Sequence, residues 1–198
     1  GYSSGVRHPW DQRLGFWWIA EGRPDQPAVV ASPSGATPTF GELAGRAHQI
    51  VHALRGRGLA AGDIVAYVLP NGVDMLWWQY ALQESGMHGI ALNPALSVGE
   101  IRSVLAHSGA AALVVDHGYA HAAELAVATT AALRVAVGGE IAGCVPYAEL
   151  VAGCPTTAPA DRSFGTPITY TSGTTGEPKA IARPAPEGDP SALADEMK

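Results

Sequence analysis

Residues 64–92, IVAYVLPNGVDMLWWQYALQESGMHGIAL, decide the fold. The stretch opens with a continuous apolar run at 64–69, which is typical of a strand buried on both faces. Asn71 is placed to cap a following helix, and Gly86 is placed to stop it. Residues 89–92 form a second apolar run. A strand, a helix and a strand in this order predict a βαβ unit with parallel strands.

The same alternation continues on both sides of this unit. Upstream, Thr39 and Glu42 have the spacing of a capping box, and the apolar stripe behind them predicts a helix that ends at Gly58. Downstream, Ser97 and Glu100 repeat the capping-box spacing. The helix that they begin is expected to stop at a glycine, because glycine readily adopts the backbone that ends a helix.

Two further apolar runs, at 112–115 and 133–137, predict two more strands, with a helix-compatible stretch at 119–130 between them. Strands and helices that alternate at intervals of about 25 residues indicate parallel pairing with right-handed crossovers. The fold class is therefore predicted as α/β, with βαβ units forming a mainly parallel, doubly wound sheet.

The remaining segments are less regular. Residues 11–21 have near-helical apolar spacing and predict a short opening helix. Residues 28–31 and 37–40 flank a turn signal and predict a small hairpin. Residues 139–163 form a connection, with one helical turn expected at 147–151.

Composition limits the classes of function. The chain has 198 residues, of which 47% are hydrophobic and 15% charged, which is typical of a globular domain with a real core. A net charge of −6 argues against nucleic acid as a partner. Because no apolar run approaches the length of a membrane span, no integral membrane contact is expected. Cys144 and Cys154 lack metal-ligand spacing, so free thiols and a cytoplasmic location are expected, with a disulfide as the alternative.

Residues 170–180 read YTSGTTGEPKA and carry the most information about function. Glycine lets the backbone turn sharply and approach a ligand, and consecutive N–H groups in such a turn form an anion site. Hydroxyl side chains add donors, and lysine adds a mobile charge suited to phosphate. This composition indicates a polyphosphate ligand, most simply a nucleoside triphosphate. The candidate nucleotide-binding residues are Thr171, Ser172, Gly173, Thr174, Thr175, Gly176 and Lys179.

This loop differs from the Walker phosphate-binding loop, which needs Gly-Lys-Ser/Thr. Here Glu177 and Pro178 separate the last glycine from the lysine. Pro178 also resists a helix interior, so a helix directly behind the loop is not expected. Residues 168–170 and 180–182 are predicted as short strands, which makes the loop the turn of a hairpin. A surface loop without a ligand is the alternative.

The loop resembles the phosphate-binding signature of the adenylate-forming superfamily, which contains acyl-CoA synthetases, luciferases and peptide-synthetase adenylation domains. TSGTTG, one free position and Pro-Lys match the pattern at 171–179, and Ala180 stands where the family usually has Gly. Upstream, TFGEL at 39–43 resembles the start of the family's first long helix. LNP at 92–94 and SGA at 108–110 resemble two further family segments.

The resemblance covers about residues 10–184 and implies the N-terminal part of the large domain of such an enzyme. We expect a disordered or tag-derived N-terminus at 1–8 and an α/β subdomain at 9–163. Residues 164–198 would hold the phosphate-binding hairpin and the start of the next, truncated subdomain. Because family members are usually much longer, the chain is interpreted as an N-terminal fragment that is inactive alone and contains neither a catalytic residue nor an assigned metal ligand.

The resemblance also implies a reaction. The enzyme would join a small carboxylic acid to ATP, with Mg²⁺, as an acyl-adenylate and transfer the acyl group to coenzyme A. A bacterial fatty-acyl-CoA ligase is the favoured hypothesis. An amino-acid-activating domain of a peptide synthetase and a non-catalytic nucleotide-binding or assembly module are the alternatives. Self-association through the surface exposed by truncation is a further expectation.

Other residues that could carry chemistry have simpler interpretations. The seven histidines show no metal motif, and His48 and His52, four residues apart on a helix, are expected to have surface or helix-flank roles. One ring of each tryptophan pair, at 17–18 and 77–78, is expected in the core. Asp116 ends a predicted strand, where a turn or a helix cap is the preferred interpretation.

Overall fold

Residues 16–30, 35, 37–172 and 178–182 are described by a computed structural model. In chain order the helices and strands are α1 Phe16–Gly22, α2 Phe40–Gly56, β1 Ile64–Val68, α3 Val73–Ser85, β2 His88–Ala91, α4 Val98–Ser108, β3 Ala112–Asp116, α5 Ala122–Ala128, β4 Leu133–Val137, β5 Val145–Pro146, α6 Tyr147–Leu150, β6 Ile168–Ser172 and β7 Pro178–Ala182.

A parallel sheet of five strands, in the order β2-β1-β3-β4-β5, forms the centre of the fold. Val65 of β1 is in register with Gly89 on one side and with Ala112 on the other. The βαβ prediction is therefore confirmed. Strand β5 was not predicted. It has two residues, and its Pro146 offers no N–H to the ladder, which restricts proline to positions such as a sheet edge.

Both faces of the sheet are buried, as a doubly wound fold requires. Alternate residues of β1 face opposite sides, because side chains alternate along a strand. Val65 and Tyr67 pack with α1, α2 and α3, whereas Ala66 and Val68 pack with α4 and α5. The predicted fold class is confirmed, and the continuous apolar runs are explained by burial on both faces.

The two predicted capping boxes are present and fix the starts of α2 and α4. At α2, the Glu42 N–H donates to Thr39 Oγ1 over 3.2 Å, and the Thr39 N–H donates to Glu42 Oε2 over 2.8 Å. At α4, Ser97 and Glu100 make the same reciprocal pair. The hydrogen bonds from Ser97 lower the pKa of Glu100.

The predicted helix cap at Asn71 is wrong. Helix α3 begins at Val73, and its N-cap is Gly72, which makes no side-chain capping bond. The stop at Gly86 is confirmed, since this residue has φ 77° in the left-handed region.

No helix in the described ranges is long and apolar enough to cross a membrane.

The small hairpin predicted around residues 28–40 is a single antiparallel bridge between Pro27 and Thr39 in the described residues. Phe40 begins α2 instead of ending a strand, because Thr39 caps the helix at that point. Of the predicted turn at 32–35, residues 32–34 lie outside the described residues, and Gly35 has a positive φ of 72°. Residues 11–15 of the predicted opening helix, of which α1 is the described part, also lie outside the described residues.

A connecting segment, residues 162–167, leads from the sheet domain to β6 and lies along the C-terminal end of α3 and along β2. Three main-chain hydrogen bonds hold it: Ser163 N–H to Glu84 O at 3.1 Å, Gly165 N–H to Gln83 O at 2.9 Å, and Gly89 N–H to Thr166 O at 3.1 Å. The side chain of His88 also accepts from the Thr166 N–H over 3.2 Å. The domain boundary at 163/164 falls within this segment and stays a prediction.

Gly165 has no space for a side chain. A Cβ atom at this position would overlap the carbonyl oxygens of Met87 and Leu82. Both obstacles are main-chain atoms, which move only if a helix end or a strand moves with them. Glycine is therefore required at 165 by close backbone approach.

Replacing the helix cap at Ser97 tests the local account of α4. We expect Ser97→Ala to lower the free energy of unfolding in urea by about 1 kcal/mol, because the Glu100 N–H at the start of the helix loses its partner and the Glu100 carboxylate loses the Ser97 hydroxyl. Because the pKa of Glu100 is lowered in the folded state, the capping box stabilises the fold above the ordinary glutamate range. The loss should therefore shrink as the pH falls through the lowered pKa.

The matched control is Ser103→Ala in the same helix, where the hydroxyl donates to Gly99 O. This change should stay within about 0.5 kcal/mol. If Ser97→Ala and Ser103→Ala lowered the free energy of unfolding equally, a capping role for Ser97 would be contradicted.

Gly165→Ala tests the close approach of the connecting segment. We expect it to lower the free energy of unfolding by about 1–3 kcal/mol or more, because the overlapping atoms belong to the main chain. Gly56→Ala is the control, since a Cβ atom there meets nothing within 4 Å. Because Gly56 lies at the end of α2, Gly56→Ala should leave the free energy of unfolding unchanged or raise it by up to about 1 kcal/mol. A Gly165→Ala chain as stable as wild type would exclude the packing described here.

Candidate functional site

The candidate site is the hairpin formed by β6 and β7. The strands are antiparallel, with Thr171 opposite Lys179 and Ser172 opposite Pro178. The predicted pair of strands on either side of the glycine-rich turn is confirmed. Residues 173–177 of the turn lie outside the described residues, and so do the side chains of Thr171 and Ser172.

The predicted site residues therefore differ in what the structure shows of them. Four lie in the turn outside the described residues: Gly173, Thr174, Thr175 and Gly176. Thr171 and Ser172 are placed by their main chain at the end of β6. Lys179 is described in full and is exposed. The nucleotide-binding role of the whole set stays a prediction.

One face of the hairpin is open to solvent. Residues opposite each other in an antiparallel pair share a face, so Lys179 and Thr171 lie on the same side of the hairpin. Ile181 and Thr169 form the next pair on this face. Lys179, Ile181 and Thr169 are all exposed. The ammonium group of Lys179 can therefore reach a ligand without displacing any part of the core.

The opposite face of the hairpin is attached to the sheet domain. Ile168 and Tyr170 pack against the core beneath α4 and α5. The Tyr170 hydroxyl and His107 Nδ1 of α4 share a hydrogen bond of 2.9 Å, and their rings meet edge to face. Burial raises the pKa of Tyr170, so its hydroxyl remains protonated at neutral pH. The hairpin is thus anchored on one side and open on the other.

A buried ionic cluster lies where the connecting segment begins. Glu84 of α3 has no exposed surface, and its Oε1 lies 2.8 Å from His48 Nδ1 of α2. Arg162 Nε lies 3.2 Å from Glu84 Oε2, an ion pair by distance although the two groups are not aligned as a hydrogen bond. Arg162 Nη1 lies 3.0 Å from Glu21 Oε1 of α1.

Burial raises the pKa of Glu84, and this effect is opposed by the hydrogen bond and charge of His48 and by the charges of Arg162 and Arg55. Sequence patterns did not reveal this cluster. His48 was expected on a surface or helix flank and is buried instead. The one available signal was a glutamate near the end of a predicted helix, which does not reveal its distant partners.

The other candidate residues have structural roles. His52 Nε2 is within 3.0 Å of Thr157 O. Asp116 accepts from the Gly118 N–H over 2.8 Å, which confirms the turn interpretation. Trp17 and Trp78 are buried, so the expectation of one core ring in each tryptophan pair is also confirmed. Within the described ranges there is no group of three or more His, Cys, Asp or Glu side chains that could hold a metal ion.

A concave region of about 420 Å³ lies at the carboxyl ends of β1 and β2, where open α/β sheets often bind ligands. Its lining includes Asn71 and residues 92–94. The Asn93 side chain accepts from the Ala95 N–H and so stabilises a turn. Asp74 lies near the same edge, and burial together with the charge of Asp116 raises its pKa. The lining of this region contains no lysine or arginine that could bind phosphate.

Curated relatives are similar over most of this chain. It is 31% identical over 169 residues to a feruloyl-CoA synthase from Amycolatopsis sp., covering 85% of the chain and 33% of the relative. It is 30% identical to a 3-hydroxybenzoate-CoA ligase from Aromatoleum sp. (strain CIB), covering 82% and 32%. Tyrocidine synthase 2 from Brevibacillus parabrevis is 30% identical over 82% of the chain and 4% of that protein. The chain spans about one third of the length of the feruloyl-CoA synthase and the 3-hydroxybenzoate-CoA ligase.

Solved structures and a family model agree with this similarity. The amide bond synthetase McbA from Marinactinospora thermotolerans has a TM-score of 0.71 and 26% identity, covering 85% of this chain and 34% of that one. The anthranilate CoA ligase AuaEII, solved with anthranoyl-AMP, shares the fold with a TM-score of 0.73 and 22% identity, covering 86% and 35%. A sequence model described as AMP-binding enzyme matches residues 16–185. The chain therefore belongs to the AMP-binding enzyme family.

Proposed function

We propose that this chain supplies the pyrophosphate-binding hairpin of an enzyme that activates a carboxylic acid with ATP and passes the acyl group to coenzyme A. One observation carries the proposal. Lys179 is exposed and in register with Thr171, at the base of a glycine- and threonine-rich turn, in a member of the AMP-binding enzyme family. In support of the proposal, Lys179 follows closely in the chain on a turn whose glycine, threonine and serine composition suits phosphate oxygens.

The chemistry explains why such donors are needed. A carboxylate oxygen attacks the α-phosphorus of ATP, a new P–O bond forms, and the bond to the β-phosphate oxygen breaks, releasing pyrophosphate. Negative charge increases on the leaving group, so donors fixed beforehand around the β- and γ-phosphates lower the barrier. In the second step a thiol attacks the acyl carbon, and AMP leaves.

Each predicted residue has a role in the first step. Lys179 would bind a phosphate oxygen with its ammonium group. The turn at 173–177 would donate main-chain N–H groups, and the hydroxyls of its threonines and of Thr171 and Ser172 would add side-chain donors. Mg²⁺ would accompany the nucleotide and neutralise phosphate charge. Because the described residues contain no cluster suited to a metal ion, no Mg²⁺ ligand is assigned to them.

The acid substrate is a separate question. We propose a fatty acid, the hypothesis that the sequence favoured. Two relatives carry the names of aromatic acids, ferulate and 3-hydroxybenzoate, and another is a tyrocidine synthase. Aromatic acids, and the amino acids of the alternative hypothesis, therefore belong in the same test.

The chain spans about one third of the length of the two ligases, and we propose that these 198 residues alone do not complete the reaction.

Self-association is proposed as well. Val30, Val127 and Ile181 are large apolar side chains with 75%, 78% and 53% of their surface exposed. Apolar surface favours association when it forms a contiguous patch, and single exposed side chains are also ordinary on a monomer, so the mass in solution decides the proposal. Light scattering over a range of concentrations should show a rising mean mass, and a constant monomer mass would contradict the proposal.

Lys179→Ala tests the assigned charge. We expect ATP binding by the chain, measured by titration calorimetry, to weaken by about one to three orders of magnitude, because a charge-assisted contact to phosphate is lost. The matched control is Ile181→Ala, which removes the next exposed side chain on the same hairpin face. The control should bind ATP like wild type. Unchanged binding in Lys179→Ala would remove the role given to Lys179.

Carboxylate-dependent exchange between pyrophosphate and ATP tests the reaction and its substrate. We expect no exchange with the 198-residue chain and exchange with a polypeptide of the ligases' length that contains it. Fatty, aromatic and amino acids are assayed in parallel, and the acid that gives the highest kcat/KM defines the class. Exchange by the chain alone would contradict its proposed inactivity, and no exchange with any acid would contradict the proposed reaction.

A further inference from the structure

The connecting segment, residues 162–167, is the part of the described chain that runs directly into β6. Its main-chain hydrogen bonds to α3 and β2 begin at Ser163 and end at Thr166. Two residues later β6 begins, with Ile168. The start of β6 is therefore placed by how this segment is held, while Ile168 and Tyr170 attach the strand itself to the sheet domain.

The first residue of the segment is held by side chains from two helices. Arg162 pairs with Glu84 of α3 at 3.2 Å and with Glu21 of α1 at 3.0 Å. Its guanidinium carbon also lies 4.8 Å from the centre of the Trp17 ring, a distance at which a cation is attracted to the ring face. The arginine side chain is 8% exposed. One side chain thus ties the start of the segment to α1 and α3.

Glu84 completes the attachment from within the core. It is wholly buried and touches both His48 and Arg162, so its two carboxylate oxygens face different elements. Its main-chain carbonyl also accepts from Ser163. Burying a carboxylate costs free energy, and a well-packed apolar side chain would often stabilise a fold as well. A buried ionic cluster is therefore weak evidence for a stabilising role, and the geometry that it imposes on the segment is the alternative to test.

We propose that Glu84 and Arg162 are positioning residues, which hold the connecting segment so that the β6–β7 hairpin presents Lys179 at a fixed place relative to the sheet. This inference rests on the proposed function for its nucleotide consequence. Its structural part concerns the order of the hairpin and stands without any ligand. No contact of Glu84 or Arg162 with a substrate is implied.

Hydrogen exchange measured by mass spectrometry tests the structural part. The variants are Glu84→Gln and, as the matched control, Glu21→Gln, which makes the same change at the half-exposed partner of the same arginine. In Glu84→Gln we expect amides of residues 163–172 and 178–182 to exchange at least about tenfold faster, with β3 and β4 within about twofold of wild type. Glu21→Gln should match wild type throughout.

Two results would overturn the proposal. The first is amide exchange in the hairpin of Glu84→Gln at the wild-type rate. The second is faster exchange in all regions alike, which indicates a general role in stability. Arg162→Lys keeps the inference testable if Glu84→Gln does not fold. Lysine retains the charge but lacks the planar group that pairs with two carboxylates at once. The same local increase in exchange is expected for Arg162→Lys, and its absence counts against positioning.

ATP titration of the same variants tests the nucleotide part. We expect the Kd for ATP to rise at least about tenfold in Glu84→Gln and Arg162→Lys and to stay within about twofold of wild type in Glu21→Gln. Faster hairpin exchange with unchanged ATP affinity would overturn the positioning role. A wild-type chain that binds no ATP would overturn the proposed function instead, and the exchange experiment would then decide the structural part alone.

Discussion

The attachment of one short segment to the end of α3 and the start of β2 fixes where the hairpin leaves the sheet domain. Residues 162–167 pass so close to the main chain of Leu82 and Met87 that Gly165 has no space for a side chain. Main-chain hydrogen bonds fix the segment in register with both elements. Because β6 begins two residues after Thr166, this attachment places the start of the hairpin, and Ile168 and Tyr170 pack one face of it against the sheet domain.

Much of the fold was predictable from the sequence, because it depends on local physics. Apolar runs such as 64–69 are strands buried on both faces, and the boxes at Thr39 and Ser97 begin helices with hydrogen bonds between neighbouring residues. The hairpin around the glycine-rich turn was also predicted, since its flanking strands and Pro178 exclude a helix behind the turn. Each of these signals lies within a few residues of the element that it specifies.

The features that the sequence did not reveal depend on contacts between distant residues. Asn71 has the right side chain for a cap, but the chain enters α3 one residue later, at Gly72. Glu84 pairs with His48, 36 positions away, and with Arg162, which is still farther along the chain, and no periodicity reports such a pair. For the site itself, the composition of the loop indicated a phosphate ligand, whereas the pairing of Lys179 with Thr171 and the exposure of its side chain came from the structure.

The proposed function depends on one claim, that the turn beside Lys179 binds the β- and γ-phosphates. Titration calorimetry of the chain with ATP, and separately with AMP, tests it most directly, because AMP retains the adenosine and the α-phosphate but lacks the other two. If the turn holds those two phosphates, ATP binds at least about tenfold more tightly than AMP, in line with the charge-assisted contacts that AMP cannot make. Equal affinities for ATP and AMP, or no binding of ATP, would contradict the claim.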